Sequence, residues 1–271
     1  MSAPLKNSKN GVLGKKVKGF LATKSACRGI FSIVVALLIW ELGTRYGLPI
    51  LKAIPPPSAV LLSFKESFVD PWYWGSWQSS FQRIGLGFIF AQIIGIPLGL
   101  LMGTSRYFRE LSLPVFEVLR PIPPLAWVPA SALFWPTPEE SIVFVTFLGA
   151  FFVTILNIVG GARSIDARYV RAAVSLGSSR KDIFWRIILP GTLPSIIVAM
   201  TVGIGICWNT VVAAEMLAGH SGLGFLTWRA YVTFSYPLIV VGMISIGIAG
   251  YISSAIIRLL GSRMTPWLKT S

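Results

Sequence analysis

Apolar residues run along this chain in long blocks, and the charged residues fall mostly between them. The stretches 84–102 and 142–161 carry no charge, and each is about as long as the ~20 residues a helix needs to cross a ~30 Å hydrocarbon core. Six spans are predicted, near 29–46, 80–103, 111–134, 141–162, 187–216 and 238–260. The second carries Gly85, Gly87, Gly95, Pro97, Gly99 and Gly103. Small residues let helix backbones approach closely in lipid, where there is little hydrophobic drive for association. The third is interrupted by Pro121, Pro123, Pro124 and Pro129. Each proline removes a donor and displaces a carbonyl, so a broken or strongly kinked span is expected. Between the first two spans, Ser58 to Ser67 reads as a short capped surface helix. Trp72, Tyr73, Trp74 and Trp77 follow in an external segment, with the chemistry of the membrane–water interface. Gly219, Gly222 and Gly224 mark a second external stretch. No internal repeat is found, so symmetry of the inverted-repeat kind would have to come from a second subunit.

Composition agrees: 54% of residues are hydrophobic and 13% charged, against roughly 25% charged in a soluble domain. The chain reads as an all-α polytopic membrane protein. Its formal net charge of +14 would suit nucleic acid, so the placement of the basic residues decides. Lys6, Lys9, Lys15, Lys16, Lys18, Lys24 and Arg28 precede the first span. Arg106 and Arg109, then the stretch from Arg163 to Arg186, then Arg258, Arg263 and Lys269 fill every second segment between spans, while the alternate ones hold Glu66, Asp70, Glu139 and Glu140. That is the positive-inside bias. It places both termini in the cytoplasm and accounts for the charge with no nucleic acid. The basic start followed by an apolar run also resembles a secretory signal, but residues 43–49 lack a small-residue cleavage site, so the first span is expected to be retained.

Catalytic chemistry is hard to find. Cys27 and Cys207 give neither a disulfide framework nor a metal spacing, and His220 is the sole histidine, reading as solvated in its Gly-rich loop. Gly14-Lys-Lys-Val-Lys lacks the pattern of a phosphate loop, so any ATP is bound by another chain. Charges inside spans are costly, roughly 2.5–3.5 kcal/mol each on insertion scales, and mark the next candidates. Glu117 and Arg120 are three apart and so share a helical face; they read as an ion pair near the cytoplasmic interface, or Arg120 as positive potential on an anion pathway. Glu215 reads as a packing or gate-hinge residue, or as a substrate contact. Trp127, Trp208 and Asn209 are midspan candidates for lining a pathway, against a packing role for the tryptophans. Arg83 is expected to snorkel to the outer interface.

One polar stretch, between the fourth and fifth spans, has a pattern of its own. Arg171-Ala-Ala-Val-Ser-Leu-Gly177 is followed thirteen residues on by Pro190, in Ile187-Ile-Leu-Pro. A helix–Gly–helix of small and basic residues cannot bury a core and must dock on something, either a partner or the lipid headgroups. The pattern resembles the EAA loop of ABC importer permeases, with Arg171 where the family's Glu usually stands. Leu119 to Pro129, Ala213-Ala-Glu-Met with Gly222-Leu-Gly224, and Gly95-Ile-Pro-Leu-Gly99 look like the nitrate/sulfonate/taurine/bicarbonate branch; Trp135-Pro-Thr-Pro-Glu-Glu departs from its Trp-Phe-Gly-x-Gly-Glu pattern. The likeness runs from about Pro55 to the C-terminus.

What the resemblance implies is a type I (MetI-like) permease fold in the bacterial inner membrane. It implies no catalysis or cofactor in this chain, with ATP and magnesium held on two partner ATPase subunits. It further implies a second permease copy, a periplasmic or lipid-anchored binding protein, and a small anion as cargo. Arg171, Ala172, Ala173, Gly177, Asp182 and Pro190 would form the ATPase-coupling loop, with Asp182 or an ATPase carboxylate as partner for Arg171. The expected organisation is a basic tail over 1–28, a first helix and external segment over 29–78, a core over 79–262 with its loop at 163–190, and a tail over 263–271. An ion-coupled secondary transporter, a channel or a membrane-embedded enzyme are the rival readings.

Overall fold

A computed structural model describes residue 29, residues 31–48 and residues 54–266. Every regular element among them is helical. Two compact units divide the chain after Phe64. In the first, α1 covers residues 31–45, and α2, Pro57–Val69, begins there. The Glu41 carboxylate ties them, accepting from the Ser58 backbone N–H at 3.0 Å, the Ser58 hydroxyl at 2.9 Å and Arg45 Nε at 2.6 Å. The tails over 1–28 and 267–271, and Cys27, lie outside the described residues.

The second unit holds α3 (Pro71–Thr104), α4 (Arg106–Leu119), α5 (Trp127–Phe134), α6 (Pro138–Arg163), α7 (Ala167–Ser175), α8 (Arg180–Ile183), α9 (Leu189–Ala218), α10 (Leu223–Val232) and α11 (Tyr236–Met264). Four rods among the described residues are long and apolar enough to cross a membrane: α3, α6, the continuous stretch Arg180–Ala218, and α11. α6 packs between α3 and α9, and α11 lies against α9 and α10.

The small residues act as expected. A Cβ on Gly87 would meet the Val143 carbonyl at 2.9 Å, on Gly99 the Ile158 Cβ at 2.9 Å, and Gly95 abuts Thr154. With Ala91 and Gly103 they recur every four residues, one face of a helix, and bring α3 backbone to backbone with α6. A Cβ on Gly85, off that face, would meet nothing within 4 Å.

Two boundaries differ from the sequence reading, and one expected break is present. α3 starts at Pro71, well before position 80, because Asp70 caps it by accepting from the Trp72 N–H at 2.9 Å and Pro71 supplies a preset first turn. The interfacial aromatics are therefore the opening turns of α3. The third span is broken, as its prolines require: α4 ends at Leu119, and a 3-10 turn at Pro124–Ala126 leads into α5. The Gly-rich external stretch turns at 219–222 and then forms a helix, α10.

Candidate functional site

The polar stretch between α6 and α9 folds as a helix, a left-handed glycine and a second helix. Asp166 opens α7, accepting from the Arg168 N–H at 2.8 Å and from Arg168 Nε at 2.7 Å. Those bonds hold its carboxyl below the usual carboxylate range. α7 ends in a Schellman cap, with Gly177 N–H donating to Val174 O (2.9 Å) and Ser178 N–H to Ala173 O (3.0 Å). That cap needs φ > 0, and Gly177 sits at φ 79°. Ser179 caps α8, accepting from the Asp182 N–H at 3.2 Å. α8 passes through a π segment, Phe184–Ile188, into α9. Leu189 N–H reaches back five residues to Phe184 O, and the next residue, Pro190, has no N–H to give. Such bulges accommodate an interrupted hydrogen-bond ladder.

Of the six loop residues, the fold brings Ala172, Ala173 and Pro190 to one open pocket of about 600 Å³, which Tyr169 and Arg186 also line. Ala173 is buried and Ala172 exposed. Arg171 is exposed and has no ion-pair partner among the described residues. The expected Arg171–Asp182 pairing is not formed. Asp182 instead accepts from the Ser179 hydroxyl and faces Arg186 at 3.7 Å one turn on, because local helix geometry satisfies it first.

The pathway candidates separate. Asn209 is exposed in the last third of α9, nearer its C-terminal end than midspan, on one stripe with Val198, Val202 and Gly205. Arg120 is exposed at the end of α4, and the expected ion pair with Glu117 is absent: the helix ends there and both side chains point outward, with no ion pair among the described residues. Trp127 packs half-buried against the core, its indole N–H lacking an acceptor. Trp208 is inside the bundle, edge-on to Phe81 at 5.4 Å and donating to Ser253 at 3.2 Å. Glu215 is also wholly enclosed. These last two lie within the protomer, not on its face.

Sequence reasoning missed what encloses Glu215. Arg83 does not snorkel; it is 2% exposed and uses all five guanidinium donors. Nε and Nη2 meet the Glu139 carboxylate in a fork, Nη1 meets Glu215 at 2.7 Å and the Ser221 carbonyl at 2.7 Å, and Nη2 also meets the Ser221 hydroxyl at 2.9 Å. Glu215 further accepts from the Ser80 hydroxyl at 2.8 Å and from the Gly224 N–H at 2.9 Å, while Leu223 N–H donates to Ser80. Gly222, at φ 109°, gives room for this: a Cβ there would lie 2.3 Å from the Glu215 carboxylate. The cluster binds α3, α6, α9 and the N-terminus of α10 at one end of the bundle. Two lone opposite charges, Arg83 and Glu215, at similar depths in different spans were the available signal.

Comparison with known proteins gives the family. Residues 95–270 match the family described as "Binding-protein-dependent transport system inner membrane component". The taurine transport system permease protein TauC of Escherichia coli (strain K12) is 33% identical over 243 residues, 88% of each chain. The nitrate import permease protein NrtB of Leptolyngbya laminosa is 36% identical over 260 residues, 92% of each. Among solved structures, an inward-facing MetNI methionine ABC transporter shares the fold at a TM-score of 0.63 and 17% identity, covering 72% of this chain and 99% of that one. The secondary-transporter, channel and enzyme readings fall away, since ATP hydrolysis in this family takes place on separate ATPase subunits. This chain belongs to the binding-protein-dependent inner-membrane components, the multi-pass permease subunits of ABC importers.

Proposed function

We propose that this chain and a second copy of itself form the pathway of an ATP-driven importer for a small anion, coupled through residues 163–190 to two ATP-binding subunits. The observation that carries the coupling role is the α7–Gly177–α8 element. It is exposed and basic, bears an open pocket and an Arg171 with no ion-pair partner among the described residues, and its second helix, α8, is the start of a 39-residue rod, Arg180–Ala218, that continues through the π segment. A tilt imposed on the loop is carried along that rod through the bilayer, roughly 58 Å at 1.5 Å per residue. Transport couples to the tilt if cargo binds one state better than the other. Arg171, with no ion-pair partner among the described residues, takes an acidic or carbonyl partner on the ATPase.

A second copy is supported by α4, which buries none of its residues in this chain although Leu111, Val115 and Val118 are apolar. Exposed Asn209, within the spanning rod, points the same way, since polar side chains in a membrane turn toward protein or a pathway. Cargo is delivered by a periplasmic or lipid-anchored binding protein. The anion reading rests on the names of the taurine and nitrate relatives and on the unpaired guanidinium of Arg120.

Uptake by the assembled transporter with its binding protein is expected to be inhibited by a small anion of the sulfonate, taurine, nitrate or bicarbonate class and indifferent to neutral sugars. Sugar uptake with no response to any of these anions overturns the cargo reading while leaving the family intact. Orientation has its own test. With both termini cytoplasmic, an impermeant thiol reagent applied to intact cells should label Thr233→Cys and not Ser178→Cys; equal labelling of both ends the topology.

A further inference from the structure

A groove of about 780 Å³ opens between α3 and α6, away from the coupling loop. Its character changes along the helix axis. Gln82, Glu139 and Glu140 surround one end, and below them Leu86, Phe90 and Ile94 of α3 face Phe144 and Phe147 of α6. From Gln82 to Ile94 the helix rises about 18 Å, comparable to an extended acyl chain. Leu86 and Phe90 are each about half exposed, so the groove opens on the outside of the protomer.

An apolar groove in a bilayer does not stay empty, because its lining would forfeit dispersion contacts, and water gains no hydrogen bonds there. The mouth then selects the headgroup. Arg83, which lines the groove, has every donor engaged, so its guanidinium is not free for the phosphate of an anionic lipid. Glu139 balances that guanidinium and lines the mouth with a side chain 59% exposed. Glu140 adds a further carboxylate whose side-chain bond is to the Thr137 hydroxyl, 3.1 Å away. A negative mouth above an apolar slot fits a cation on a hydrocarbon tail. We propose that this groove is a binding site for a phospholipid with a primary-amine headgroup, phosphatidylethanolamine, its ammonium at Glu140 and one acyl chain against Leu86, Phe90 and Phe147.

This assignment rests on the groove and its charge, and is independent of the cargo and of which leaflet faces it. The test uses the assembled transporter in nanodiscs of equimolar phosphatidylethanolamine and phosphatidylglycerol, followed by mild detergent transfer and mass spectrometry of the retained lipid. Wild type is expected to retain phosphatidylethanolamine several-fold over phosphatidylglycerol. Glu140→Lys should erase or invert that ratio, and Leu86→Trp, which fills the slot, should reduce the lipid retained with either head. Retention at the bulk ratio, or a ratio unmoved by Glu140→Lys, overturns the proposal. So does capture of a second copy of the chain, in place of lipid, by a photocrosslinker placed at Phe90.

Discussion

Arg83→Met is expected to leave little monodisperse protein after extraction, with a loss of stability of roughly 3–5 kcal/mol, the cost of breaking a buried pair by removing one partner. Arg83 holds two carboxylates at once, and one of them, Glu215, is wholly enclosed. Without the guanidinium, Glu215 loses its counter-charge and must either stay ionised or take up a proton among Ser80 and the first N–H groups of α10, while Glu139, whose side chain is 59% exposed, can turn to solvent. The asymmetry gives the second half of the expectation. Glu215→Gln should be much milder, because Arg83 keeps its fork to Glu139 and the amide still offers an acceptor. Adding Glu215→Gln to Arg83→Met should restore part of the stability, since no enclosed charge is then stranded. Thermal midpoints of the four proteins in detergent form a double-mutant cycle. Additive losses would show that Arg83 and Glu215 do not act as a pair.

How much of this was legible beforehand depended on the range of the interaction. Hydropathy located four of its six expected spans in the long rods α3, α6, Arg180–Ala218 and α11, because insertion depends on local composition. The proline cluster at 121–129 announced a break because proline acts on its own backbone and the preceding turn. Gly177 was readable for the same reason: a cap is a five-residue event. Arg83 was misread because its partners lie 56 and 132 residues away, and nothing near it in sequence says that Glu139 and Ser221 converge on it. The segment Trp135-Pro-Thr-Pro-Glu-Glu stood out only as a departure from the family pattern, yet it supplies Glu139, the carboxylate of the arginine's fork. α10 was hidden for another reason. Its N-terminus is capped by no side chain of its own, and its first N–H groups are satisfied by Ser80 and Glu215, residues of other helices. Asp182 went wrong in the opposite direction: a distant partner was sought where Ser179 and Arg186 lay within one turn.

Gly177→Val should abolish most ATP-coupled transport while leaving insertion and the helical bundle intact. The reason is backbone strain alone. Gly177 holds φ 79°, and a Cβ built there meets nothing within 4 Å, so the substitution fills no occupied space in this chain. A left-handed conformation costs an ordinary residue roughly 1–2 kcal/mol, and a β-branched one is a genuine outlier there. The loop is exposed and few contacts oppose its rearrangement, so the strain is relieved by losing the Schellman cap and re-aiming α7 relative to α8. That displaces Ala172 and Ala173 from Pro190 and Arg186 across the open pocket, the surface proposed to meet the ATPase. Asn, which tolerates this region, should retain most of the activity, and Ala should fall between Asn and Val. Arg171→Ala, by comparison, removes an exposed charge worth about 0–1 kcal/mol as a pair and should only weaken coupling. The measurement is binding-protein-stimulated ATP hydrolysis and uptake for each variant, normalised to assembled complex. Full coupling in Gly177→Val would separate the left-handed turn from the docking role; a ranking by side-chain bulk, with Asn as damaging as Val, would point to close contact with the ATPase in place of backbone strain.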